Sequence, residues 1–276
     1  MPELPEVETV VRGLRGPLVG RRLVHVEARR PDLRTKLPDG FAERLIGRTV
    51  MAIERRAKYI LMRLDDEAVL IAHLGMSGRF VVTEGKPNRT GPHEHVLLET
   101  DRGTVLRYVD PRRFGLMDLT STAELASHPL LAGLGAEPLD AAFTGAVLAA
   151  QLAGRRTPIK SALLDQRIVA GIGNIYACEA LYYARLSPRR LAASVQGGRA
   201  ERLVTGLKEV LLKAIKAGGS SLRDHVQPSG ELGYFQHEWA VYGREGAPCP
   251  ACDCRQGVRR LTQAGRSTFY CAKRQR

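Results

Sequence analysis

The chain is short of everything needed to enter a membrane. No apolar stretch approaches the roughly 18 residues that span a bilayer, and no segment sets a clean basic helical face against an apolar one. Its start, MPELPEVETV, lacks the cationic residues and apolar run of an export leader. Cysteine is scarce until the end: four of the five lie in the final 28 residues, which argues against a secreted disulfide scaffold and for a metal site. Internal repeats and low-complexity tracts are absent. Acid is also in short supply, with 29 Asp and Glu against 42 Lys and Arg.

What remains is an ordinary globular composition, 44% apolar and 26% charged, carrying a net charge of +13 and a pI near 9.9. A charge of that size points to a polyanionic partner. The excess is uneven. From Arg244 onward eight basic residues face two acids, so the tail holds about half of the net charge.

Up to about residue 120 the pattern is mainly that of strands. KYILMRLDDEAVLIAHL predicts a hairpin turning at Asp65–Asp66, and HVLLETDRGTVLRYV another turning at Asp101–Gly103. Several such units predict a β-sandwich or barrel. The Pro- and Gly-rich stretch from Ala126 to Asp140 breaks the alternation and marks a boundary. Beyond it the period is helical. Leu203, Leu207, Val210, Leu211 and Ile215 make one stripe that stops at Gly218 and Gly219. Upstream, a helix, a turn at Asp165–Arg167, a glycine-rich step and a second helix from about Asn174 are expected. The end reads as a small β-ribbon with a cysteine knuckle. The expected domains are 1–130, 131–240 and 241–276, in an α+β multidomain arrangement.

The opening residues carry a specific chemistry. Once Met1 is removed, Pro2 presents a secondary amine. An α-amine titrates near pH ~8 against ~10.4 for lysine, so near neutrality it is deprotonated roughly a few hundred times more often. A neutral secondary amine can attack a sugar carbon and leave an iminium, an electron sink for elimination. Glu3 stands beside it as a candidate acid or base. On the alternative reading, Pro2 and Pro5 stiffen a terminal strand and the glutamates are solvated.

RRAKYIL, HLGMSGRF, DPRRFG, GIGNIYACEAL and GRSTFYC follow this terminus in one chain. In that order the sequence resembles the formamidopyrimidine-DNA glycosylase family, from Met1 to the last residues. The resemblance implies a bifunctional glycosylase and abasic-site lyase that excises oxidised purines and cuts the strand by β,δ-elimination. Its fold would be an N-terminal β-sandwich with flanking helices, a helix-two-turn-helix domain and a β-hairpin zinc finger. Pro2 would attack C1′, Glu3 would assist ring opening, and Lys58 would contact phosphate or donate a proton. Met76, Arg112 and Phe114 would fill the gap left by the extruded base. His93, Lys160 and Asn174 would contact DNA, Arg266 would clamp a phosphate from the fingertip, and residues 220–234 would close over the base. His73 is read as a buried strand histidine with no role. The implied partner is damaged double-stranded DNA, bound by a cytoplasmic, nucleoid-associated monomer. Two other readings share the motifs: an endonuclease VIII-like enzyme for oxidised pyrimidines, and a non-catalytic damage-binding protein.

The cysteines depart from that family's pattern. It has two C-x2-C pairs around zinc. Here Cys249 and Cys252 form the first pair, Cys271 opens the second, and its partner position is Arg274. Cys254, just past the first pair, restores a count of four. Zinc held by Cys249, Cys252, Cys254 and Cys271 is the expectation, with a metal-free finger as the alternative. Cys178 is expected to pack in a helix core.

Overall fold

The computed structural model describes residues 1–85, 91–220 and 233–276. Most of the segment expected to close over the base, 221–232, lies outside the described residues. The chain gathers into two compact units. One is built on Met1–Ala132 with the described part of Ala217–Tyr234, the other on Gly133–Lys216 with Phe235–Arg276. Among the described residues no helix is long and apolar enough to cross a membrane.

The first unit runs α1 (Leu4–Leu18), β1 (Leu23–Ala28), α2 (Phe41–Leu45), β2 (Val50–Arg56), β3 (Tyr59–Leu64), β4 (Ala68–His73), β5 (Arg79–Glu84), β6 (Glu94–Thr100), β7 (Thr104–Val109) and β8 (Leu116–Ser121). Its strands make two four-stranded sheets, ordered β1-β6-β7-β5 and β2-β3-β4-β8. Every pairing is antiparallel. Val26, Leu98, Leu106 and Tyr108 of the first sheet share one core with Ile53, Ile60, Leu70 and Met117 of the second. This is the expected sandwich, and the two expected hairpins are β3–β4 and β6–β7.

Strand periodicity missed the first element. The opening residues are a helix, not a terminal strand. α1 buries Val7, Val10, Val11, Leu14 and Leu18, a 3.6-residue stripe against the sandwich core. Pro5 sits in its first turn, where a missing N–H costs nothing.

The second unit contains α3 (Gly145–Leu152), α4 (Ile159–Leu163), α5 (Asn174–Tyr183), α6 (Gly198–Lys216) and a hairpin of β9 (Arg259–Gln263) and β10 (Arg266–Tyr270). All five residues of the expected α6 stripe are buried. A carboxylate organises the approach to the hairpin. Glu179 of α5 is wholly buried, and its two oxygens accept the backbone N–H groups of Ala240, Val241 and Tyr242 at 2.8–2.9 Å. Burial leaves its pKa raised, though those three amides work against it.

Replacing Glu179 with Gln would turn one acceptor into a donor facing amides and strand buried N–H groups, at about 1–3 kcal/mol. Chemical denaturation of Glu179→Gln should show a loss of that size. A midpoint equal to that of the parent would mean that the amide trio finds other partners.

Candidate active site

The site in the first unit is built from the start of α1. Pro2 and Glu3 are buried, Glu3 being only 4% exposed. Glu3 is the N-cap, and Glu6 closes a capping box by accepting the Glu3 N–H at 2.9 Å. The other oxygen of Glu6 accepts the Ser220 N–H at 2.8 Å. The terminal residues are therefore held by backbone hydrogen bonds, with Pro2 at the positive end of a helix.

Lys58, Arg34 and the chain's amino group all act on His73. Lys58, 6% exposed, follows Ala57, which holds a left-handed φ of 54° in the β2–β3 turn. Arg55 braces that turn, donating to the Ala57 carbonyl at 3.1 Å and pairing with Glu8 of α1 at 3.1 Å. His73, at the end of β4, lies against the ring of Tyr59 with centroids 5.0 Å apart. Its Nδ1 accepts the Gly75 N–H at 3.0 Å. Burial, and then the charges of Lys58, Arg34 and the chain's own amino group, bring its pKa down to about 4. His73 thus reports a convergence of positive charge at the terminus. Neither His73 nor Arg34 was given a role from sequence, because no spacing ties them to Lys58; only the fold gathers them.

Met76 and Phe114, 43% and 44% exposed, stand on the turns after β4 and before β8. The Arg112 guanidinium stacks over the Phe114 ring, 4.7 Å from its centroid. His93 is exposed and left-handed at 69°, and its carbonyl accepts the Asp110 N–H at 3.0 Å.

In the second unit, Gly173 caps α5 in an extended conformation and Asn174 is its first residue. The Asn174 side-chain amide donates to the Ser267 carbonyl at 2.9 Å. Lys160 is completely buried. Its Nζ donates to Thr268 Oγ1 at 2.7 Å and to the same Ser267 carbonyl at 3.2 Å. Both side chains thus hold the strand that starts at Arg266, which is exposed beside a tight turn at Ala264–Gly265, both left-handed. Such a turn suits the twist of a two-residue hairpin.

Cys249, Cys252, Cys254 and Cys271 bring their sulfurs within 4.8 Å of one another. Cys271 lies 3.4 Å from Cys252 and 3.5 Å from Cys254. Zinc–thiolate bonds of about 2.3 Å place tetrahedral sulfurs about 3.8 Å apart, so the four thiols fit a closed tetrahedral site. Burial opposes ionisation of Cys249, but the Tyr182 hydroxyl at 3.4 Å and the Ala251 amide bring its pKa down to about 7. Cys178 packs beneath, in one apolar cluster with Cys249 and Cys271.

Comparison with known proteins decides the lineage. Residues 1–117 match the formamidopyrimidine-DNA glycosylase N-terminal domain, and residues 134–226 match that family's H2TH domain. A formamidopyrimidine-DNA glycosylase of Rhodospirillum centenum is 57% identical over the full length of both chains. The chain belongs to the formamidopyrimidine-DNA glycosylase family. Among solved structures, the MutM (Fpg) protein of Thermus thermophilus is 43% identical, with a TM-score of 0.87 over 99% of this chain and 98% of that one. The Lactococcus lactis Fpg in complex with DNA containing an abasic site is 34% identical, with a TM-score of 0.89 over 99% of each chain.

Against the formamidopyrimidine-DNA glycosylase pattern, the finger differs where a cysteine would stand. Arg274 occupies that position, and its guanidinium lies over the Tyr182 ring, 4.8 Å from the centroid. Cys254 brings its sulfur to the cluster from the other side of the hairpin.

The depressed His73 pKa sets a pH window. The folded state holds this ring neutral down to about 4, whereas the unfolded chain protonates near the ordinary value of 6.5. The stability that depends on the neutral ring is complete above pH 6.5 and is lost as the pH falls toward 4. Thermal melts of the parent should fall through that window more steeply than those of His73→Gln. Parallel curves would remove His73 as the source of that pH dependence.

Proposed function

We propose that the chain is a bifunctional DNA glycosylase and abasic-site lyase of base-excision repair that removes oxidised purines. One observation carries the chemistry: a buried Pro2–Glu3 pair fixed at a helix start, with the charges of Lys58, Arg34 and the chain's amino group all acting on the neutral ring of His73. With Met1 removed, the positive helix end and the charges of Lys58 and Arg34 favour the neutral Pro2 amine. That amine attacks C1′ of the damaged nucleotide. The glycosidic C–N bond breaks and the base leaves with a proton. Glu3 assists by moving a proton as the sugar ring opens to the iminium. Loss of a C2′ proton then expels the 3′ phosphate, and a second elimination expels the 5′ phosphate. Lys58 holds a phosphate beside the reacting sugar or delivers a proton there.

Met76, Arg112 and Phe114 occupy the gap left by the extruded base, and His93 adds a contact to the backbone. Asn174 and Arg266 hold phosphate in the second unit, with buried Lys160 adding positive potential behind them. The substrate is damaged duplex DNA, engaged by one chain in the cytoplasm. The four sulfurs fit zinc, held by Cys249, Cys252, Cys254 and Cys271. There it would crosslink the base of the β9–β10 hairpin that carries Arg266 and take no part in the chemistry.

Borohydride added to protein and abasic-site DNA should trap a covalent adduct. One glycine placed before Pro2 should abolish trapping while binding to an uncleavable abasic analogue stays within about threefold. Trapping by the extended chain would remove Pro2 from the reaction. Parent enzyme should excise 8-oxoguanine in preference to thymine glycol, and the reverse order would favour the endonuclease VIII-like alternative.

Elemental analysis should find one zinc per chain, falling well below half in Cys254→Ser. Full zinc retention by that variant would show that Cys254 is not a ligand.

A further inference from the structure

Two separate turns present the three gap-filling side chains, Met76 on one and Arg112 with Phe114 on the other. Three single rotamers on loose turns would have to be ordered at the moment a base leaves the stack. The ordering of each costs free energy. Something must hold the turns together beforehand.

Beneath them lies Asp110, whose side chain is completely buried and which makes no ion pair among the described residues. Its Oδ1 accepts the Ser77 hydroxyl at 2.6 Å. Its Oδ2 accepts the Gly115 N–H at 2.9 Å and the Tyr108 hydroxyl at 3.2 Å. Ser77 Oγ in turn accepts the Arg112 N–H at 3.2 Å. One carboxylate therefore reaches the residue after Met76, the residue after Phe114 and, through Ser77, Arg112. Burial and then the Asp110 charge keep the Tyr108 hydroxyl protonated well past its usual range, so it remains a donor.

The glycines show how tightly this is closed. A Cβ on Gly115 would lie 1.7 Å from the Tyr108 hydroxyl, and one on Gly78 2.3 Å from it. A Cβ on Gly75, whose φ is 63°, would lie 2.3–2.5 Å from the backbone of Phe114 and Gly115. At Gly75 the two turns meet backbone to backbone.

We infer that Asp110 is a positioning residue: its buried carboxylate locks the Met76 turn to the Arg112–Phe114 turn, so that the three side chains enter the duplex as one rigid wedge. The inference rests on the glycosylase reading above and concerns extrusion of the base, not bond breaking. It therefore separates two substrates. An oxidised purine paired in a duplex must be extruded and its gap filled. An abasic site in a single strand needs neither.

Single-turnover rates on these two substrates, for Asp110→Asn and Ser77→Ala beside the parent, test it. Duplex 8-oxoguanine excision should slow tenfold or more in Asp110→Asn and at least twofold in Ser77→Ala. Single-strand abasic cleavage should change less than twofold in either. A 2-aminopurine opposite an uncleavable abasic analogue should brighten less on binding to the variants than to the parent, because an unlocked wedge unstacks it less. Loss on both substrates in parallel would overturn the lock, as would Ser77→Ala excising the duplex lesion within twofold of the parent rate. Should Asp110→Asn not fold, Ser77→Ala decides alone. A parent protein inactive on both substrates would sink the glycosylase reading instead.

Discussion

One buried carboxylate ties the chain's terminus to a distant part of the fold. Glu6 accepts the Glu3 N–H with one oxygen and the Ser220 N–H with the other. Chain ends usually fray because nothing offsets the entropy of holding them, about 1–2 kcal/mol per residue. Here the first turn of α1 shares its carboxylate with a backbone amide more than two hundred positions away. The backbone comes close as well: a Cβ on Gly219, whose φ is 79°, would lie 3.2–3.3 Å from Glu6. A terminus held in this way meets the demand that the proposed Pro2 nucleophile be aligned with its target beforehand.

Charge is handled by the same logic of prior arrangement. Cations repel one another, and a fold that brings Lys58, Arg34 and an amino terminus to bear on one site raises its own free energy unless an anion arrives. The lowered His73 pKa, set first by burial and then by those charges, carries a trace of that cost. A phosphate backbone removes it. In the second unit, Lys160 turns its buried ammonium toward Ser267 and Thr268, leaving exposed Arg266 as the fingertip cation. Rigid hairpin, buried brace and exposed guanidinium form a chain of support running outward from α4 and α5.

Much of this was legible in the residues. The strand hairpins, the α6 stripe and the helix start at Asn174 follow from local periodicity, which depends on neighbours a few positions apart. α1 was equally available, since Val7, Val10, Val11, Leu14 and Leu18 make a helical stripe, but the prolines and glutamates were read only for their chemistry or, alternatively, as a stiff terminal strand. Pro5 is compatible with a first turn, and Glu3 with Glu6 spells a capping box. Lys160 was a different matter. Its partners lie more than a hundred residues downstream, and no local pattern distinguishes a brace from a phosphate contact.

The sequence by itself determined which chemistry the chain can carry: a secondary amine behind Met1, a glutamate beside it, an excess of cations, and four thiols close to the tail. Residue types and short spacings are enough for that, because reactivity is a property of the groups themselves. Tertiary structure decided where those groups meet. Cys254 could join Cys271 only once β9 and β10 had paired, and Asp110 could bind Ser77 only once two sheets had brought separate turns together. Both outcomes rest on long-range packing, in which the energy of a contact depends on everything that holds its partners in place.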